Sequence, residues 1–136
     1  MRDLVLFYSY GGHTRKIAEA FGQENGVDIC EVTAIKKPNI FRALLLAGTR
    51  GTLAIEPLRI NGEAVCFEDY GAVNVFAPIW ANRLAAAMNA AVGLLPKGTK
   101  VRLHLISGSG KSNKDAITAQ MQEFGLEIIG YEDIQG

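Results

Sequence analysis

The chain has 136 residues, 49% of them hydrophobic, and 14 basic residues balance 14 acidic ones. That length suits one domain, residues 1–136, with a substantial core. Zero net charge with no basic or acidic block argues against non-specific binding to nucleic acid or a membrane surface, and the longest apolar stretch, Leu84 to Leu95, is broken by Asn89 and Gly93 and is too short to span a bilayer.

The chain opens on Leu4-Val5-Leu6-Phe7-Tyr8, an apolar run that predicts a buried strand over 3–8. A glycine loop and a charged helix follow at once, so this start does not read as a secretory signal. Ile17, Ala18 and Phe21 recur at helical spacing and predict a helix over 14–24. A strand is expected over 27–33, where Cys30 reads as a small buried hydrophobe, and a helix over 38–48. Residues 49–71, punctuated by Gly51, Pro57 and Gly62, read as a long surface connection with a short strand at Ala64-Val65-Cys66-Phe67. A strand over 72–77, an alanine-rich helix over 82–95, a strand over 100–106, a helix over 113–124 and a strand over 126–131 complete the chain. Two cysteines do not make a disulfide framework, and a reducing cytoplasm is the expected setting.

Strands alternating with helices call for an open parallel sheet with helices on both faces, a three-layer α/β/α sandwich. One strand departs from the fully buried pattern. Val101, Leu103 and Leu105 alternate with Arg102 and His104, the period of a strand buried on one face. The sequence stops soon after the fifth strand, which predicts a sandwich lacking the C-terminal helix. Arg102 and His104 are then expected to be solvated, or covered by a second copy in a homodimer; without ligand-like spacing to His13, His104 reads as a surface residue.

In an open parallel sheet, ligands bind at the carboxyl ends of the strands where the strand order reverses. Three segments fall at such ends. Ser9-Tyr10-Gly11-Gly12-His13-Thr14 joins the first strand to the first helix. Unpaired first-turn amides, the helix dipole and close-approaching glycines make such a junction an anion trap, here for a phosphate. Pro78-Ile79-Trp80-Ala81-Asn82 follows the third strand and offers an indole for stacking on an aromatic ring. Ser107-Gly108-Ser109-Gly110 follows the fourth and offers backbone amides to a ring's polar edge. A ring joined to a phosphate by a flexible polar arm describes flavin mononucleotide (FMN).

These segments resemble the flavodoxin-like family, and in particular its short flavodoxin-domain proteins, over nearly the whole chain. Residues 7–19 resemble the family's first strand, phosphate loop and first helix, and residues 69–80 its third strand running into a Pro-x-Trp flavin loop. The resemblance implies strand order 2-1-3-4-5 and FMN as cofactor. It also implies phosphate contacts from Ser9, Gly11, Gly12, His13 and Thr14, a ring lined by Pro78, Ile79, Trp80 and Ala81, and closure by Ser107–Gly110. Trp80 stacked on the ring would lower its reduction potential. Where the family's phosphate loop carries a middle hydroxyl and then Asn, this chain has Gly11 and His13. One donor is lost, and a cation is gained where His13 protonates beside phosphate.

Other readings fit less well. Gly108-Ser109-Gly110-Lys111-Ser112 lacks the upstream glycine of a nucleotide-triphosphate loop, with Leu105 in its place. Glu31 lies where a dinucleotide fold places its ribose-binding acid, but the Gly-x-Gly-x-x-Gly spacing is absent. A phosphoacceptor domain needs acids at the end of the first strand, and Asp3 stands at its beginning. No catalytic triad and no metal-ligand set is evident. The expected function is an FMN-binding redox protein, partnered by a redox protein or a small electron acceptor. Electron transfer and a flavin-dependent NAD(P)H or quinone oxidoreductase both stay open, and zero net charge weakens the pure-carrier role, since carrier flavodoxins tend to be acidic. The alternative is a flavodoxin-fold binding or scaffold module that has lost its flavin.

Overall fold

Leu4, Val5, Leu6 and Phe7 are all buried, which an interior strand covered on both faces allows; they lie in β1 (Arg2–Phe7). The computed structural model describes residues 2–9, 11–35, 55–80 and 83–136, with the backbone alone for Trp80, Arg83 and Ala86. The predicted helix over 38–48 lies outside the described residues. The further elements are α1 (His13–Asn25), β2 (Asp28–Glu31), β3 (Arg59–Ile60), β4 (Glu63–Ala64), β5 (Tyr70–Trp80), β6 (Arg83–Leu84), α2 (Ala86–Val92), β7 (Lys100–Ser107), α3 (Lys114–Glu123) and β8 (Glu127–Gln135).

Five strands pair in parallel in the order β2-β1-β5-β7-β8. The numerals differ from the expected 2-1-3-4-5 because the short strands β3, β4 and β6 also stand in the chain order, of which only β4 overlaps an expected strand. β3 and β4 form a hairpin around Asn61-Gly62, whose φ angles of 52° and 82° are those of a type I′ turn. The expected strand at 64–67 is thus only partly strand, since Phe67–Asp69 is a 3-10 turn. β6 folds back antiparallel on the end of β5, pairing Ile79 with Leu84 and Trp80 with Arg83.

The larger core lies on the face covered by α2 and α3, where Leu6, Val75, Met88, Leu103 and Met121 pack together. On the opposite face Ala18, Ile17 and Phe21 of α1 pack against Val5, Phe7, Phe76 and Ile106. This second face holds a polar chain in which Asn74 and His104 are buried and Arg102, Asp3 and Glu132 reach the surface. Arg102 Nη1 donates to Asp3 Oδ2 at 2.7 Å, and Asn74 Nδ2 reaches the same oxygen at 3.3 Å. Asn74 Oδ1 faces His104 Nε2 at 3.2 Å, and His104 Nδ1 lies 2.7 Å from Glu132 Oε2.

His104 is therefore not a surface residue. It is 8% exposed, stacked on Phe76 with ring centroids 4.2 Å apart and flanked by Phe21. Alternation of Arg102 and His104 looked like a solvated face because period alone cannot distinguish a side chain facing water from one facing a buried polar partner. Cys30 is buried as expected, and burial pushes its thiol up to about 11. The exposed Cys66 donates to Glu68 Oε2 at 3.4 Å, which holds its thiol above the usual range and disfavours the reactive thiolate. Among the described residues, no helix is long and apolar enough to cross a membrane.

Candidate functional site

β1 delivers the chain to the carboxyl edge of the sheet, where Ser9 turns it toward α1. Ser9 Oγ accepts the backbone N–H of Gly12 at 2.8 Å and so ties the loop to itself. Gly12 begins the helix at φ 93°, a left-handed conformation that an L side chain reaches only at a cost of about 1–2 kcal/mol. No side chain caps this helix end, and no acidic residue stands in its first turn. Its amides and the positive end of its dipole are left for a guest. Thr14 in that turn is 4% exposed, and its hydroxyl makes no hydrogen bond among the described residues.

A cavity of about 250 Å³ opens here. Ser9, Gly11, His13 and Thr14 form one side, Pro78 and Ile79 a second, and Ile106, Ser107 and Gly108 a third, with Gly136 at the edge. All three expected segments thus reach one space. Pro78 and Ile79 do so from within β5 rather than from a loop, because the β5–β6 hairpin prolongs the strand and Ala85 donates to the Pro78 carbonyl at 3.2 Å. Tyr10, Ala81 and Asn82 lie outside the described residues, as does the side chain of Trp80.

Ser109 and Gly110 do not line this cavity. Ser109 Oγ accepts from Lys111 N at 3.2 Å, and the Ser107 and Ser109 hydroxyls both reach the Lys111 carbonyl. Gln135 Nε2 donates to the Gly108 carbonyl at 3.3 Å, and Ser112 Oγ bonds both Tyr131 and Asp133 of β8. The third segment is a braced turn. Gly110 lies at φ 72°, with Gln135 Cβ 3.0 Å from where its own Cβ would be. Gly110→Ala is expected to lower stability by about 1–2 kcal/mol in urea unfolding; no change would mean the turn tolerates a rearrangement.

Gly12 faces the other side of the β1–α1 loop, where a second cavity of about 250 Å³ is lined by Arg15, Glu31 and Thr33 among others. Arg15 Nη1 bonds Glu31 Oε1 at 2.7 Å and Nη2 bonds Oε2, and this carboxylate raises the guanidinium's affinity for its proton. The Arg15 charge is therefore committed within the protein. Sequence reasoning missed Ile106 and Gly136 as cavity residues. Ile106 was the last residue of a predicted strand, and Gly136 enters because β8 pairs with β7 as far as Ser107↔Gln135, well past the expected end at residue 131.

No family model and no curated protein matches the sequence. Solved structures do match. A flavoprotein from Lactobacillus acidophilus NCFM, crystallised with FMN, is 20% identical and superposes with a TM-score of 0.75 over 96% of this chain and 91% of its own. A proposed flavoprotein from Bacteroides eggerthii DSM 20697 is 19% identical, with a TM-score of 0.74 over 96% of this chain and 86% of its own. The chain has a flavodoxin-like fold. The apo form of the Lactobacillus flavoprotein, solved by NMR, also matches this flavodoxin-like chain, with 20% identity and a TM-score of 0.64 over 97% of it and 92% of the relative.

Proposed function

We propose that this chain binds FMN in the cavity at the carboxyl edge of the sheet and serves electron transfer, as a carrier or as a small flavin-dependent reductase. The observation that carries this reading is the Thr14 hydroxyl, without a hydrogen bond among the described residues, on the first turn of a helix without acidic residues and lining a cavity together with the apolar Pro78, Ile79 and Ile106. Such a donor set suits a phosphate joined to an apolar ring. The fold shared with an FMN-bound flavoprotein supports the same reading.

The first-turn amides of α1 and the Thr14 hydroxyl would hold the phosphate. Gly11, with no atom within 4 Å of an added Cβ, leaves the backbone open to close approach. Pro78, Ile79 and Ile106 would keep water from the ring, and Trp80 would stack on it, as the family resemblance implies. Bound flavin supplies reversible one- and two-electron chemistry, while the protein sets its access and potential. A redox protein or a small acceptor would approach the flavin at the carboxyl edge of the sheet. The free thiols of Cys30 and Cys66 suit a reducing cytoplasm.

The test is an FMN titration of the purified protein. Yellow protein, or quenching of FMN fluorescence with sub-micromolar affinity, is the expected result. Colourless protein that leaves FMN fluorescence unchanged would point instead to a flavodoxin-fold module without flavin. Steady NADPH oxidation with a quinone or an azo dye, without added reductase, would separate an enzyme from a pure carrier.

A further inference from the structure

Glu31 closes β2 at the carboxyl edge of the sheet and pairs with Phe7 of β1 in the parallel register. Arg15 grips its carboxylate with both terminal nitrogens: Nη1 donates to Oε1 at 2.7 Å, and Nη2 to Oε2. The guanidinium is in turn seated over the Phe7 ring, its Cζ 5.6 Å from the ring centre. The backbone beyond Glu31 is also tied down, since Val32 donates to the Phe7 carbonyl at 2.7 Å and Glu56 to the Thr33 carbonyl at 2.8 Å. A carboxylate has about four acceptor positions, and the Arg15 fork fills two of them. The others lie side by side on a group whose orientation is fixed. With side chains 44% and 33% exposed, Arg15 and Glu31 are within reach of a ligand.

The second cavity opens onto this pair. Tyr8, Val32 and Ala34 give it an apolar wall, and Ser9 separates it from the first cavity, which it also lines. Adjacent fixed acceptors suit adjacent donors, and the vicinal diol of a ribose is such a pair; the apolar wall suits a base. In dinucleotide-binding folds a carboxylate about twenty residues beyond the first glycine loop accepts from a ribose 2′-hydroxyl in this way. Here the glycine spacing that would seat a pyrophosphate is absent, so only the ribose-recognising half of that arrangement is present. A 2′-phosphate would be refused. It would face the Glu31 charge, while Arg15, the one cation among the described residues lining this cavity, is already engaged.

We propose that the cavity between the β1–α1 loop and the end of β2 is a second ligand subsite, which takes a ribonucleoside with a free 2′,3′-diol. Glu31 accepts from both hydroxyls, and Arg15 is the positioning residue that fixes Glu31. The subsite stands on this cavity and this pair alone; its place beside a flavin, across the loop that carries Ser9, rests on the proposed FMN reading. Two sources supply the same chemistry: the adenylate half of a flavin dinucleotide, or that of a nicotinamide dinucleotide.

The experiment measures dissociation constants of AMP, 2′-deoxy-AMP and 2′,5′-ADP by calorimetry, for the native chain and for Glu31→Ala, with and without saturating FMN. The native chain is expected to bind AMP about tenfold more tightly than either analogue, and equally well when FMN is present. In Glu31→Ala, AMP should weaken about tenfold, and 2′,5′-ADP should now bind more tightly than AMP because Arg15 is released. FMN affinity should stay within about twofold, since an exposed ion pair contributes little to the fold. Four results would each overturn the subsite: no AMP binding, AMP no tighter than 2′-deoxy-AMP, an AMP constant unchanged in Glu31→Ala, or AMP displaced by FMN. Absence of FMN binding with the AMP preference intact overturns the FMN reading and leaves the subsite standing. FAD binding about tenfold tighter than FMN, with the gain lost in Glu31→Ala, identifies the flavin's own adenylate as the source. NADH binding to the FMN-loaded chain, displaced by AMP, identifies the nicotinamide dinucleotide.

Discussion

Replacing Asn74 with alanine is expected to lower unfolding stability by about 2–4 kcal/mol, a large fraction of what a domain of this size has. Asn74 is fully buried on the central strand β5. Its Nδ2 lies near two acceptors, Asp3 Oδ2 at 3.3 Å and the Leu4 carbonyl at 3.5 Å, so Oδ1 is the atom turned toward His104. His104 Nε2 lies 3.2 Å from Asn74 Oδ1, and Nδ1 lies 2.7 Å from Glu132 Oε2. Alanine leaves a ring nitrogen unpaired in a site walled by Phe76 and Phe21, and adds a cavity where the amide stood. Asn74→Leu restores volume and not the bond. If unsatisfied polarity dominates, leucine should recover less than half of the alanine loss in urea titrations. A loss below about 1 kcal/mol in both variants would show that His104 finds another partner.

Thr14→Val is expected to weaken FMN by about tenfold or more while changing riboflavin by less than twofold. A hydrogen bond to a charged group contributes about 1.5–3 kcal/mol, and the Thr14 hydroxyl has no competing partner among the described residues. Valine preserves the branched shape, so the packing of this buried position and the start of α1 are retained. Calorimetry or fluorescence titration with both ligands reads the difference. Equal losses for both, or an FMN change below threefold, would remove Thr14 from the phosphate contacts.

Much of the architecture was legible along the chain because parallel strands covered on both faces are written as apolar runs. Leu4–Tyr8 carries that signal without interruption and Ala72–Ala77 with Asn74 as its one polar residue, and Ile17, Ala18 and Phe21 carry the helical one. The β3–β4 hairpin was also written there, in Asn61-Gly62, but two strands of two residues each carry too little periodicity to be read as a pair. The end of β8 was hidden for a different reason. Glu132 and Asp133 are poor strand formers, and they are extended because β7 offers them a ladder. Likewise nothing local announces that β5 continues through Pro78 to Trp80; the antiparallel return of β6 supplies the pairing that makes it so.

The sequence by itself determined the alternation of strand and helix and three segments at carboxyl ends, two of them bearing glycines and hydroxyls and one bearing Trp80, since these depend on residue order and local backbone preference. Only the tertiary structure decided which members of those segments share a cavity. Ser9, Thr14, Pro78 and Ser107 reach it, while Ser109 and Gly110 are drawn into a turn braced on β8. The same holds for His104, whose partners Asn74 and Glu132 stand 30 and 28 residues away. Whether a polar side chain on a strand meets water or a buried acceptor depends on what the neighbouring strands place beside it, and strand pairing at long range is a property of the folded chain.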